Sequence, residues 1–227
     1  MFRLVLFDID GTLIASGGAG EKAFARVCEH EFGVRDGTVG LHFAGRTDPA
    51  IVRDFFVKHG IAPSAENFRR FLDRYVFTLD HMLGQLHGRV LPGVTMMLRA
   101  LQAAPRPPVV GLLTGNIQLG AQIKLSHYRL WQHFELGGFG DDHEDRNEIA
   151  RVARERGEHR LGGRLRGEEV LVIGDTPRDV ECARAIGARV LAVATGGYSL
   201  DQLAREQPCW AAPTLEEFPL GNLLGAG

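Results

Sequence analysis

Asp8-Ile9-Asp10-Gly11-Thr12-Leu13 follows the apolar run Leu4 to Phe7 without a break. Along a strand, successive side chains alternate, so Asp8 and Asp10 share one side and Ile9 takes the other. Carboxylates leaving a buried strand need a cation or hydrogen-bond donors, because unpaired burial is costly. Read alone, the segment also fits an ordinary acidic turn that caps a helix. A second acidic turn, Asp175-Thr176-Pro177-Arg178-Asp179, ends the apolar run Val170 to Gly174. Pro177 suits a first helical position, and Asp175 or Thr176 suits the cap; capping then leaves Asp179 unexplained. A third run, Val109 to Leu113, ends in Thr114-Gly115-Asn116. There a hydroxyl, a backbone N–H and an amide offer donors to an oxyanion or phosphoryl oxygen. A metal held by Asp8, Asp10 and Asp175 would meet oxygen ligands only, which suits Mg²⁺ better than zinc or copper.

These turns can converge only if the strands before them lie side by side. Leu4–Phe7, Val109–Leu113, Val170–Ile173 and Val190–Val193 are short Val/Ile/Leu-rich runs, the signature of strands buried on both faces. Helical stretches at 150–156 and 179–186 alternate with the later ones. This predicts an α/β fold, a doubly wound parallel sheet with a Rossmann-like core, whose turns share one carboxyl edge. Phe134–Phe139 is a weaker strand candidate, and Trp210–Ala212 a last edge strand. The interval after Ile14 holds no strand but three helical stretches, at 21–31, 49–59 and 65–86. Asp48-Pro49 reads as the start of the second, with Asp48 as its cap. Leu72, Tyr75, Val76, Leu79, Met82 and Leu83 form an apolar stripe in the third. The pattern predicts a catalytic α/β core from 1–14 and 91–227, with a helical cap domain at 15–90. Met82, Met96 and Met97 are expected in the core, and the tail 221–227 frayed.

Composition narrows the function. The chain has 227 residues and a formal net charge of −2, unlike the net basic face of a nucleic-acid binder. Its basic residues divide into 23 Arg and three Lys, Lys22, Lys58 and Lys124. Cys28, Cys182 and Cys209 lie far apart and are expected to be small buried thiols. No apolar stretch approaches the roughly 20 residues of a membrane span, and Phe2–Phe7 is too short for a signal peptide. A cytoplasmic protein with no membrane or nucleic-acid partner is expected; the sequence sets no oligomeric state. His42, His81 and His87 show no metal spacing and are expected at the surface, and neither nucleotide-binding glycine motif occurs.

Taken together, the chain resembles a haloacid dehalogenase superfamily hydrolase of the phosphatase kind. The likeness rests on Asp8-x-Asp10-Gly11-Thr12-Leu13, on Leu112-Leu113-Thr114-Gly115-Asn116, on Gly174-Asp175-x-x-x-Asp179, and on their order around an inserted helical cap. The resemblance implies Asp8 as nucleophile on a small-molecule phosphate monoester, with an aspartyl-phosphate intermediate. It implies Asp10 as general acid and base. Mg²⁺ would be held by Asp8, the Asp10 carbonyl and Asp175, the phosphoryl group by Thr114, Gly115 and Asn116, and Asp179 would stand behind them. Asp10 favours phosphate-ester cleavage over carbon–halogen chemistry. Phosphoryl transfer within a sugar phosphate, as in a phosphomutase, and a non-enzymatic binding module are the alternatives.

The chain departs from the family pattern at its third motif, where a lysine is usual. Lys22 and Lys58 fall in the cap. Lys124 comes early, ten residues after Thr114, and its loss is expected to matter little. Arg146 lies about where the lysine is expected, and a guanidinium can engage carboxylate and phosphate together. Arg146 is therefore assigned the role, with Asp141 and Asp142 as surface charges. Arg46, in Gly45-Arg46-Thr47-Asp48, is a candidate cap contact to substrate.

Overall fold

The computed structural model describes residues 1–224. The chain begins with β1 (Leu4–Phe7) and then β2 (Ile14–Ala15). It leaves through three helices, α1 (Ala19–Phe32), α2 (Asp48–Lys58) and α3 (Ala65–Gln85), and returns by β3 (Arg89–Val90). Strands β2 and β3 pair antiparallel and so join the two parts of the molecule. The rest alternates: α4 (Val94–Gln102), β4 (Val109–Leu113), α5 (Gln118–His127), β5 (Leu136–Gly138), α6 (Arg146–Leu161), β6 (Val170–Gly174), α7 (Pro177–Ala185), β7 (Arg189–Val193), α8 (Leu200–Arg205), β8 (Trp210–Ala212) and α9 (Gly221–Leu224). Six strands form one sheet in the order β5-β4-β1-β6-β7-β8, every pairing parallel. This is the expected α/β architecture, with β1 flanked by β4 and β6.

The alternation within each strand sorts the core into two layers. Val5, Phe7, Val110, Leu112, Leu171, Ile173, Leu191 and Val193 pack with α4 and α5 on one face. Leu4, Leu6, Val109, Leu113, Val170, Val172, Val190 and Ala192 pack with α6, α7 and α8 on the other. The same parity continues past the end of β1. Ile9 joins the α4/α5 layer, and Asp8 belongs with Leu6 on the side of α6 and α7. The helices α1, α2 and α3 enclose a separate aromatic-rich cluster around Phe24, Phe55, Phe56, Phe71 and Tyr75. Along α3, Phe71, Tyr75, Leu79, Met82 and Leu83 are buried at helical spacing, and Ser64 caps its start by accepting the Asn67 N–H at 3.2 Å.

Several local expectations are corrected. Thr47, not Asp48, caps α2, accepting the Ala50 N–H at 3.3 Å; Asp48 lies inside the helix and turns its carboxylate elsewhere. Met82 and Met97 are buried, whereas Met96 is exposed on the outer side of α4. Cys28 and Cys182 are buried but Cys209 is exposed. Of 134–139 only Leu136–Gly138 is strand, because a short 3-10 turn at Trp131–His133 delays it. Residues Gly221–Leu224 are helical with Leu223 buried, so that part of the tail is anchored; residues 225–227 lie outside the described residues. His42, His81 and His87 are exposed as expected. Among the described residues no helix is long and apolar enough to cross a membrane.

Candidate active site

The carboxyl edge of the sheet brings the acidic turns together. Asp8 follows β1, with its N–H bonded to Ile173 of β6 at 2.9 Å. Asp175 follows β6, and Asp179 sits in the first turn of α7. Carboxylate oxygens of Asp8, Asp175 and Asp179 all lie within 4.8 Å of one another, and all three residues are buried. Thr12 donates its hydroxyl to Asp175 Oδ1 at 2.9 Å. A Cβ on Gly11 (φ 83°) would overlap the Asp175 carboxylate, so this turn needs glycine for its space as well as its conformation.

Arg146 enters the cluster from the first residue of α6, whose start Asp145 caps by accepting the Asn147 N–H at 2.8 Å. Because α6 packs on the same sheet face as Leu6, its N-terminus points the guanidinium at Asp8. Arg146 Nη2 donates to Asp8 Oδ1 at 2.9 Å, Asp179 Oδ1 at 2.5 Å and the Leu113 carbonyl at 3.3 Å. Its Nε is buried and has no hydrogen-bond partner among the described residues. Burial opposes the Arg146 charge, but Asp179 and Asp8 hold it well above the ordinary arginine value. Burial pushes Asp8 up to about 6, opposed by Arg146 and reinforced by Asp179. Asp175 is also raised, by burial first and then by Asp8 and Asp179.

Asp179 has a local explanation that the sequence did not give. Its Oδ2 accepts both the N–H and the hydroxyl of Thr176, at 2.9 and 2.7 Å, an arrangement related to the capping box. Both Asp179 oxygens are therefore engaged. On Asp8 and Asp175, by contrast, one oxygen of each carries no hydrogen bond from the described residues.

Asp10 faces a different environment. Its side chain is 42% exposed, and Oδ2 accepts from Lys124 Nζ at 2.6 Å and Asn116 Nδ2 at 2.9 Å. Asp10's carboxylate is outside the three-acid cluster. Lys124 is buried and also donates to Asn116 Oδ1 at 2.6 Å. This overturns the expectation that Lys124 stands apart: α5 begins at Gln118, and two turns on its inward face carries Lys124 to the site. Asn116 also donates to Thr114 Oγ1, through Nδ2 at 2.9 Å and its N–H at 3.3 Å. Its amide is thus spent on Asp10, Thr114 and Lys124. With its oxygen already accepting, the Thr114 hydroxyl keeps its proton for another partner.

The loop before α2 packs over this edge. Asp48 donates its N–H to the Gly115 carbonyl at 2.8 Å, and its carboxylate accepts the Ile117 N–H at 2.9 Å. Asp48 is buried, and burial raises it to about 7 against the opposing pull of Lys124. Thr47 donates its hydroxyl to the Glu144 carbonyl at 3.0 Å. A Cβ on Gly115 would overlap the Arg46 carbonyl, so this cap contact also depends on a bare backbone. Arg46 lines the cavity at this edge, but its guanidinium is turned to Asp54 at 2.7 Å. Asp141 accepts the Gln118 N–H and Asp142 binds Arg156; neither touches the acid cluster.

The cavity between cap and core is about 310 Å³, and Asp8, Asp10, Thr114, Gly115, Asn116, Arg146 and Asp175 all line it. The sequence-predicted residues are thus assembled at one place. Lys124, Asp48 and Tyr75 also line it and were not assigned there. Tyr75 carried no signal beyond its place in the α3 apolar stripe, and Asp48 read as a cap. Lys124 did carry one, as a rare lysine shortly after Thr-Gly-Asn.

The donor set fits a hard divalent cation. It is oxygen-only, it places three buried acids against one guanidinium, and it leaves oxygens of Asp8 and Asp175 free of protein donors.

Comparisons with known proteins agree with this geometry. No match was found among curated proteins. Solved structures share the fold at low identity. A protein named CbbY from Rhodobacter sphaeroides, solved with phosphate, is 15% identical over 97% of both chains with a TM-score of 0.75. A protein described as a predicted phosphoglycolate phosphatase from Haemophilus somnus is 17% identical over 95% of this chain and 96% of that one, with a TM-score of 0.73. A hydrolase from Pseudomonas syringae is 20% identical over 99% and 98%, also at 0.73. The model of one family, described as haloacid dehalogenase-like hydrolase, matches residues 5–193, which run from the second residue of β1 to the end of β7 and take in every acid and cation of the site. The chain belongs to the haloacid dehalogenase-like hydrolases.

Proposed function

We propose that the protein is a Mg²⁺-dependent phosphatase that hydrolyses a small-molecule phosphate monoester through an aspartyl-phosphate on Asp8. The observation that carries the reading is Asp8 itself. It is a buried carboxylate at the end of a central strand that lines the cavity, with one oxygen bonded to Arg146.

In the first step the free Asp8 oxygen forms a bond to phosphorus as the bond to the leaving oxygen breaks. Asp10 delivers the proton that the leaving oxygen requires, and in the second step takes one from the water that attacks phosphorus. That attack frees Asp8 and releases inorganic phosphate. Arg146 holds Asp8 in place and offsets part of the charge that gathers there. Thr114 donates its hydroxyl, and Gly115 its N–H, to phosphoryl oxygens. Asn116 acts by holding Asp10 and Thr114 rather than by reaching substrate. Asp8 and Asp175 would hold Mg²⁺, with Asp179 positioning Arg146 behind them; the cation supplies charge neutralisation between anionic carboxylates and anionic substrate. Residues 15–90 act as the cap that encloses the leaving group. The CbbY structure, of the same fold and solved with phosphate, supports the reading.

The test is phosphate release from a panel of monoesters with Mg²⁺. Asp8→Asn abolishes it and Asp10→Asn lowers it severely; turnover that survives Asp8→Asn unchanged removes the nucleophile from this account.

A further inference from the structure

The cap side of the cavity holds a polar group with nothing to bind. Tyr75 is 1% exposed, its ring packed against Phe24 with centroids 4.6 Å apart. Its hydroxyl borders the cavity yet makes no hydrogen bond to the protein among the described residues; only burial and the charges of Asp48 and Asp10 act on it. A phenol hydroxyl that borders a cavity and is engaged by no group of the described residues is free to pair with a ligand.

Gly20 makes the room. It lies in α1 with ordinary helical backbone, where alanine would favour the helix by about 1 kcal/mol. A Cβ there would stand 3.6 Å from both Tyr75 Oη and Lys124 Nζ. The glycine is not needed for conformation or to avoid overlap, and its effect is open space beside those two atoms. Phe24, Phe43 and Ile51 supply apolar wall around it.

The charges define what fits. Three cations line the cavity, and each already has a carboxylate: Arg146 with Asp8 and Asp179, Lys124 with Asp10, Arg46 with Asp54. Glu21 and Asp10 line the same cavity. A leaving group bearing its own anion would face these acids with no free cation to receive it, an uncompensated charge in a confined space. The volume of about 310 Å³ is at the small end for ligand sites.

We infer that the site takes the phosphate ester of a small neutral alcohol with a further hydroxyl, which pairs with Tyr75 in the space left by Gly20, and rejects esters whose leaving group carries a carboxylate or second phosphate. This rests on the phosphatase reading above. The experiment compares three esters of one skeleton with Mg²⁺: 2-hydroxyethyl phosphate, ethyl phosphate and 2-phosphoglycolate. The expected kcat/KM for 2-hydroxyethyl phosphate exceeds that for ethyl phosphate by about fivefold, the range of one neutral hydrogen bond, and exceeds that for 2-phosphoglycolate by about tenfold or more. Tyr75→Phe collapses the first ratio towards one, as does Gly20→Ala, which folds without backbone strain. Hydrolysis of none of the three while other monoesters of the panel are turned over overturns this assignment alone; hydrolysis of no monoester at all overturns the phosphatase reading and this assignment with it. If the three are hydrolysed but 2-phosphoglycolate equals or betters 2-hydroxyethyl phosphate, the assignment alone is overturned. The same holds if Tyr75→Phe slows ethyl and hydroxyethyl phosphate alike.

Discussion

Arg146 and Lys124 are both buried cations beside a carboxylate, yet they serve opposite halves of the site. Arg146 comes from α6 on one sheet face and bridges two buried acids and a carbonyl. Lys124 comes from α5 on the other face and meets one acid, Asp10, whose side chain is 42% exposed, together with one amide. A planar guanidinium has donors enough to hold several acceptors in fixed relation, whereas an ammonium is a compact charge on a flexible stem. The Arg146 half is accordingly locked, and suits a nucleophile that must not move. The Lys124 half is open to the cavity, and suits a carboxylate that must exchange a proton. One difference of side-chain chemistry thus separates holding from transfer.

Breaking the locked half has the largest expected effect. Arg146→Met leaves Asp8, Asp175 and Asp179 buried without their cation, a loss of about 3–5 kcal/mol in stability. Turnover falls by about 10³-fold or more. Arg146→Lys restores the charge but not the fork, so it recovers most of the stability and little of the rate. Urea unfolding and phosphate release measure the two separately, and equal recovery of both by Arg146→Lys would show that charge alone suffices.

Asp48 links the halves, because its carboxylate holds the start of α5, the helix that carries Lys124. Burial raises it from 3.8 to about 7. The folded protein therefore keeps a proton on Asp48 that the unfolded chain has already released. Between those values unfolding releases a proton, so stability falls as pH rises from about 4 to about 7 and then levels off. Asp48→Asn keeps the acceptor for Ile117 and removes the titration. Relative to the variant, the wild type loses stability across that window by up to a few kcal/mol, read by urea unfolding at half-unit pH steps. A constant difference between the two would place Asp48 ionised throughout.

Lys124→Met is expected to spare the fold and cost about 10²-fold in kcat, since Asn116 still holds Asp10. The informative reading is leaving-group dependence. Impaired proton delivery slows alkyl phosphates more than aryl phosphates, whose leaving oxygen needs the proton less. Arg146→Met slows both alike. If the two variants show the same leaving-group profile, the division into holding and transfer is wrong.

Much of this was legible in the sequence because parallel strands buried on both faces leave continuous apolar runs, and each run ended in the residues that matter. Asp8, Thr114 and Asp175 were found that way, and Arg146 because it lies about where the family resemblance expects a lysine. What stayed hidden depends on which way a helix face turns. Lys124 could be counted but not aimed, since nothing local states that the inner face of α5 carries it to Asp10. Asp48-Pro49 matched a helix start closely enough to conceal that Thr47 caps α2 and Asp48 serves a different helix. Tyr75 looked like any apolar-stripe residue, because the vacancy at Gly20 lies more than fifty residues away. Asp179 carries two functions at once: one oxygen holds Arg146, as a residue orienting a cation would, and the other accepts the N–H and hydroxyl of Thr176, a capping contact that the sequence left unread.

The smallest expected effect sharpens the comparison most, because it asks which half binds the metal. Oxygens free of protein donors occur on Asp8 and Asp175, in the Arg146 half, and the Asp10 carboxylate lies outside that cluster. Mg²⁺ at ten times its Kd should add about 1.4 kcal/mol to stability, a rise of about 3–6 °C in Tm for a chain of this size. Asp175→Asn should abolish the rise. Lys124→Met should leave it intact, because removing a cation that touches only Asp10 and Asn116 alters none of the metal's oxygens. A Tm response that vanishes in Lys124→Met but persists in Asp175→Asn would move the cation to the Asp10 half. The acid cluster around Arg146 would then be a structural ion network with no metal to hold.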